Sequence, residues 1–198
     1  MDPLTLESAA LSADGRSLVI LDQTLLPGEE KEIRTETLEE MVEAIKALRE
    51  VRYLSLTETE DIVEAIRALR VRGAPAIGVA AAYGLYLAAQ RLDAEDMDQF
   101  LSGLRSAAET LNGARPTAVN LSWALSRMEN VLDENRAVLT IADMKKRLLQ
   151  EAHAIREEDI AISRSIGRLG FELLKPGDGI LTHCNAGALA TGGYGTAL

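Results

Sequence analysis

Two apolar stripes at helical spacing are the most regular feature of the chain. Residues 40–49 read EMVEAIKALR and residues 61–70 read DIVEAIRALR, with seven of ten positions identical at an offset of 21. Met41, Ile45 and Leu48 share one face of the first segment. Ile62, Ile66 and Leu69 share one face of the second. Thr37 with Glu40, and Thr57 with Glu60, have the spacing of a capping box. Two amphipathic helices are expected. Two copies are too few for a solenoid, so the pair reads as a local tandem duplication.

The pattern changes on either side. SLVILD at 17–22 is a strand of an N-terminal hairpin or ribbon, ended by Leu26-Pro27-Gly28. PAIGVAAAYGLYLAAQRL at 75–92 predicts a helix opened by Pro75, rich in Gly and Ala that permit close backbone approach. Further helices are expected over 95–111, 116–132 and 141–174, linked as in a bundle. Trp123 falls mid-helix and is expected in the core. The charge run Arg156-Glu157-Glu158-Asp159 is expected to give the last helix a solvated face.

Lys175-Pro176-Gly177-Asp178-Gly179 is a hard break. Ile180-Leu181-Thr182 then reads as a short buried strand, followed by His183, Cys184 and a Gly-rich loop. This is the opening of a β-loop-α unit. A buried parallel strand needs neighbours and helices on both faces, so the chain is expected to be a fragment. The fold class is α/β overall and mainly α in this fragment: a β ribbon at 1–30, a helical domain at 31–176 and the start of a Rossmann-like domain at 177–198.

Composition narrows the function classes. The chain has 198 residues, a formal charge of -10 and a 47% apolar fraction. Such a chain can bury a core, and without a basic run it is a poor nucleic-acid binder. The apolar stretch 75–89 is too short for a membrane span, which needs about 20 residues. MDPLTLESAALSADG lacks the basic and apolar regions of a signal peptide. One cysteine allows no intrachain disulfide and points to a reducing cytosol.

Cys184 is the first chemical candidate, at a predicted strand end where open α/β sheets place ligands. A nearby helix N-terminus would favour its thiolate; the alternative is a small buried hydrophobe. His183 is adjacent on the strand and points to the opposite face, so a packed or supporting role is expected. Gly187, Gly192, Gly193 and Gly195 form either an anion-binding turn or a flexible one; they match neither nucleotide-binding fingerprint. Arg72-Gly73-Ala74-Pro75 and Arg115-Pro116 each put an arginine just before a helix start, a geometry for anions. A surface arginine is the plain alternative for each. With His153 and His183 the only histidines, no metal-ligand spacing is present.

Three segments taken together carry a resemblance: VRGAPAIGVAAAYG at 71–84, ARPTAVNLSWAL at 114–125 and GDGILTHCNAGALATGGYGTAL at 177–198. They resemble the methylthioribose-1-phosphate isomerase family, in a superfamily with ribose-1,5-bisphosphate isomerase and the regulatory subunits of the eukaryotic translation initiation exchange factor. The resemblance implies a helical domain followed by a Rossmann-like domain in a cytoplasmic homodimer. It implies an aldose-ketose isomerase of methionine salvage, working on a phosphorylated sugar without metal, cofactor, nucleic acid or membrane. By the same resemblance Cys184 is catalytic, and Arg72, Gly73, Ala74 and Arg115 contact substrate. The family's catalytic aspartate falls beyond residue 198, so this fragment alone is expected to be inactive, its other half absent or a separate chain. Ribose-1,5-bisphosphate isomerase and a non-catalytic regulatory subunit are the alternatives. The sequence departs from the family pattern by an insertion of about 21 residues around 31–51.

Overall fold

The computed structural model describes residues 9–21, 53–183 and 185–196. Strands β1 (Ala9–Leu11), β2 (Leu18–Leu21) and β3 (Tyr53–Leu56) form an antiparallel sheet in that order. Five helices follow among the described residues: α1 (Thr59–Arg67), α2 (Ala74–Arg91), α3 (Met97–Asn112), α4 (Val119–Asn135) and α5 (Ile141–Phe171). The described residues are therefore mainly helical with one small sheet.

The expected hairpin is present. Ala9 pairs with Ile20 and Leu11 with Leu18. The turn is closed by the Ser12 amide donating to the Ser17 carbonyl at 2.8 Å. Alternation turns Ala9, Leu18 and Ile20 inward, all fully buried. β3 was not anticipated; its alternating pattern, with Leu54 and Leu56 against the core, is only four residues long.

α2 is the hub, packing on α1, α3, α4, α5 and the sheet. It carries no charged residue before Arg91, and a helix apolar all round belongs inside. Residues 76–89 are all buried. Its small residues let neighbours approach: a Cβ on Gly78 would stand 2.9 Å from the Asn120 carbonyl oxygen. α1 presents Ile62, Val63, Ala65 and Ile66 to this hub, all buried. Among the described residues no helix is long and apolar enough to cross a membrane.

The other helices lie within three residues of the expected bounds. Asp96 caps α3 by accepting from the Gln99 amide at 2.8 Å, and Thr140 caps α5 by accepting from the Asp143 amide at 3.2 Å. The capping box expected at Thr57 and Glu60 does not form. α1 begins after Glu58 with no side-chain cap, and the Thr57 hydroxyl turns to the Glu58 carboxylate at 3.3 Å. Acidic Glu60 and Asp61 in the first turn instead complement the helix dipole. The segment 40–49, its capping pair Thr37 and Glu40, and the Leu26-Pro27-Gly28 break lie outside the described residues.

Three further expectations are corrected. Ile180-Leu181-Thr182 is not a strand; Ile180 and Leu181 are 64% and 98% exposed. A strand is made by its neighbours' hydrogen bonds, and no described strand lies beside it. His183 is likewise exposed rather than packed. Trp123, expected in the core, is 49% exposed, because α4 turns Leu121, Ala124, Leu125 and Met128 inward.

Candidate functional site

Between α1 and α2 the chain makes two abrupt turns. Leu69 takes a left-handed φ of 59° just past the end of α1, the place where helices commonly reverse their backbone. Arg70 folds back onto Glu64 at 3.1 Å, Val71 is buried, and Arg72 reaches the surface. Gly73, at φ 98°, opens α2 with no side-chain cap. The first amides of α2 thus stand beside an arginine, an arrangement that favours an anion.

Gly73 also meets a distant part of the chain. A Cβ there would fall 2.3 Å from Ala190 Cα and 2.5 Å from its carbonyl oxygen. Only glycine fits this contact, and its φ is one that side chains disfavour. The Arg72-Gly73-Ala74 turn is therefore packed on the short helical turn Ala188–Ala190 of the Gly-rich segment.

That segment is a closed loop. Gly187 and Gly195 pair in an antiparallel bridge. Thr191 is buried, and the Gly192 amide donates to Asp159 Oδ2 at 2.6 Å. Gly193 sits over Ile160, and the Tyr194 ring lies 5.8 Å from the Arg164 guanidinium. Successive loop residues thus run along one face of α5. The loop is seated, not a free turn.

Beside it is a cleft of about 370 Å³ lined by Pro75, Val79, Trp123, Ile155, Asp159 and Ile162 among others. Its walls are mostly apolar. Burial pushes the Asp159 carboxyl up, opposed by the Gly192 amide. Its neighbour Glu158 is held below the ordinary carboxylate range by hydrogen bonds from Arg127. Arg127 also binds the buried Glu151 at 2.5 Å, and Arg147 reaches the same carboxylate at 2.7 Å. Burial pushes Glu151 up, but the two guanidiniums outweigh it and hold it low. Arg127 stacks at 5.6 Å from the Trp123 ring, fixing one wall of the cleft.

The structure brings Arg72, Gly73 and Ala74 to the Gly-rich loop. It does not bring Arg115 into the cleft lining; Arg115 is half-buried before α4, its carbonyl accepting from the Ala118 amide at 2.9 Å. Cys184 lies outside the described residues, three positions before the loop's first glycine. Among the described residues no group of three or more His, Cys, Asp or Glu could hold a metal. Sequence reasoning missed Asp159 and Trp123. Asp159 ends a charge run read as giving the helix a solvated face, yet it turns partly inward.

Comparison with known proteins gives these features a context. The chain is 50% identical over 196 residues to a methylthioribose-1-phosphate isomerase of Symbiobacterium thermophilum, a match covering 99% of this chain and 48% of that protein. It is 44% identical to a 5-deoxyribose 1-phosphate isomerase of Petrotoga mobilis, covering 98% of this chain and 50% of that one. The crystal structure of 5-methylthioribose 1-phosphate isomerase from Pyrococcus horikoshii OT3 superposes with a TM-score of 0.78 at 35% identity, covering 96% of this chain and 46% of that one. The chain thus spans about half the length of the curated relatives it matches. The family described as the Initiation factor 2 subunit family, IF-2B, matches residues 70–193, from the arginine turn through the Gly-rich loop, and the chain belongs to it.

Proposed function

We propose that the whole protein is a sugar-phosphate isomerase that converts 5-methylthioribose 1-phosphate to 5-methylthioribulose 1-phosphate, a step of methionine salvage. The contact of Gly73 with Ala190 carries the reading, because it joins an anion-binding turn to the loop that follows Cys184. The isomerisation is redox-neutral: C1 gains the hydrogen that C2 loses. Cys184 acts at the reacting carbons, as donor or acceptor of a proton within about 3 Å. Arg72 and the Gly73-Ala74 amides hold the phosphate, with Arg115 as a second cationic contact. The names of the similar proteins support the substrate class.

The same reading carries structural proposals. A Rossmann-like domain begins near 177, after a helical domain at 31–176 and a ribbon at 1–30. The protein is a homodimer of the cytosol.

A second substrate is favoured by one observation: several similar proteins are named 5-deoxyribose 1-phosphate isomerases. That sugar has the same reacting carbons and a smaller apolar end. The test is ketose formation by the whole-length protein from 5-methylthioribose 1-phosphate, 5-deoxyribose 1-phosphate and ribose 1,5-bisphosphate. Turnover of the first is expected. Exclusive turnover of the bisphosphate overturns the assignment, and no turnover of any of the three favours a non-catalytic binding subunit.

A further inference from the structure

We propose that the apolar cleft beside the arginine turn seats the group on C5 of the sugar phosphate, with Trp123 and Ile162 setting a preference for a thioether there. The proposal rests on the isomerase reading above and names what selects the substrate at that same site. Turn and cleft share α2. Arg72 and Gly73 stand just before the helix, and Pro75, Gly78 and Val79 of its first turns line the cleft. From Pro75 to Val79 the helix rises about 6 Å, comparable to the span of one pentose. A sugar whose 1-phosphate is held at the turn therefore has its far end at the cleft.

The walls say what that end is. Val79, Trp123, Ile155 and Ile162 are apolar, and among the described residues the only charged lining groups are the carboxylates of Glu158 and Asp159. Arg127 stands behind the wall with its nitrogens engaged, Nε on Glu151 and both Nη on Glu158. A second phosphate would meet carboxylates with no cation to pair it, whereas an apolar group meets walls that gain by losing water. Trp123 is 49% and Ile162 59% exposed, so both have water to lose. The Arg127 guanidinium, 5.6 Å from the indole ring and fixed by its ion pairs, holds Trp123 in place before anything binds. Sulfur packs favourably against an aromatic ring. The two sugars considered above differ only at C5, where one carries a methylthio group and the other hydrogen.

The whole-length protein is assayed on 5-methylthioribose 1-phosphate and 5-deoxyribose 1-phosphate, as parent, Trp123→Ala, Trp123→Phe and Ile162→Ser. The parent is expected to prefer the thioether by kcat/KM. Trp123→Ala should lower that preference about tenfold, the low end of what an apolar pocket draws from one extra methylene, and leave the deoxy sugar near its parent value. Ile162→Ser should shift the ratio the same way. Trp123→Phe, which keeps an aromatic wall, should restore most of it. An unchanged ratio in both Trp123→Ala and Ile162→Ser overturns the proposal. So does an equal loss on both sugars, which is what a merely structural Trp123 would give. Should Trp123→Ala fail to fold, Ile162→Ser decides by the same ratio.

A second readout needs no turnover. Trp123 is the single tryptophan of the 198-residue chain. 5-Methylthioribose, the sugar without its phosphate, should shift its fluorescence to the blue, and ribose should not. Where the parent turns over neither sugar phosphate, the isomerase reading falls and this spectrum decides the cleft: the shift upholds an apolar subsite, and an unchanged spectrum overturns it.

Discussion

Leu148 and Ile155, in the first half of α5, are buried, whereas Ile162 and Leu169, the next steps of the same seven-residue spacing, are 59% and 54% exposed. Both halves are amphipathic, and both would be scored alike from periodicity. The first half lies against α2 and α4; the second has bare Ile166 and Phe171 as well. A stripe of apolar residues therefore fixes which face of a helix is to be covered, and leaves open what covers it. The Gly-rich loop is seated where the helix passes from one condition to the other, between Arg156 and Arg164.

The contrast is sharpest in two phenylalanines. Phe100 is fully buried and Phe171 is exposed. Phe100→Ala should cost about 3–5 kcal/mol through lost burial and the cavity left behind. Phe171→Ala should change stability by no more than about 0.5 kcal/mol. Urea unfolding of both variants checks this, and equal losses would erase the distinction between the two regions.

Arg127 probes the boundary. Arg127→Met should cost about 1–3 kcal/mol near neutral pH, since Glu151 is buried and would keep only Arg147. The folded state holds the Glu151 and Glu158 carboxyls below their ordinary 4.5, so it binds fewer protons than the unfolded chain. Their contribution is complete above that value and is lost as the pH falls below it. The difference between parent and variant should thus shrink on acidification; a gap that widens instead would show that the pairing is not what stabilises this face.

How much of this was legible in the sequence follows the same line. α2 was legible because a run without charges can only be interior. The hairpin was legible from Asp14-Gly15 before a β-branched run. Ile180-Leu181-Thr182 misled because two apolar residues and a β-branched threonine carry the composition of a strand without its partners. Trp123 misled because a large aromatic is usually buried, while the α4 stripe of Leu121, Leu125 and Met128 runs past it. The site's parts were visible as motifs, Arg72-Gly73-Ala74 and the glycines after Cys184. Their meeting was not, because the contact of Gly73 with Ala190 is made by backbone shape and leaves no charge or periodicity to read. Asp159 was hidden within a run of charged neighbours.

The smallest effect is expected at the repeat. The buried face of α1 is Ile62, Val63, Ala65 and Ile66, and the matching positions of the upstream copy are Met41, Val42, Ala44 and Ile45. α1 fills its groove with this stripe, so a second segment with the same stripe is expected to be dispensable. α1 leads into buried Val71, whereas the matching position after the upstream copy is Glu50. Deleting residues 32–52 should leave stability unchanged or slightly raised, within about 0.5 kcal/mol of the parent. A thermal melt checks it, and an unfolded deletion variant would show that both copies are structural.

The arginine turn and the Gly-rich loop meet at Gly73 and Ala190, and the proposed function makes Cys184 the reacting group of an isomerase site that includes this turn. Steady-state turnover of 5-methylthioribose 1-phosphate by the whole-length protein carrying Cys184→Ser tests it most directly, with a thermal melt alongside. The account predicts that turnover is abolished while the melting temperature barely moves, and that Arg72→Ala or Arg115→Ala instead raises KM, by the roughly 1.5–3 kcal/mol of a charge-assisted bond. A Cys184→Ser protein that keeps its activity and loses its stability would contradict it, leaving the thiol a packing residue beside a site that works without it.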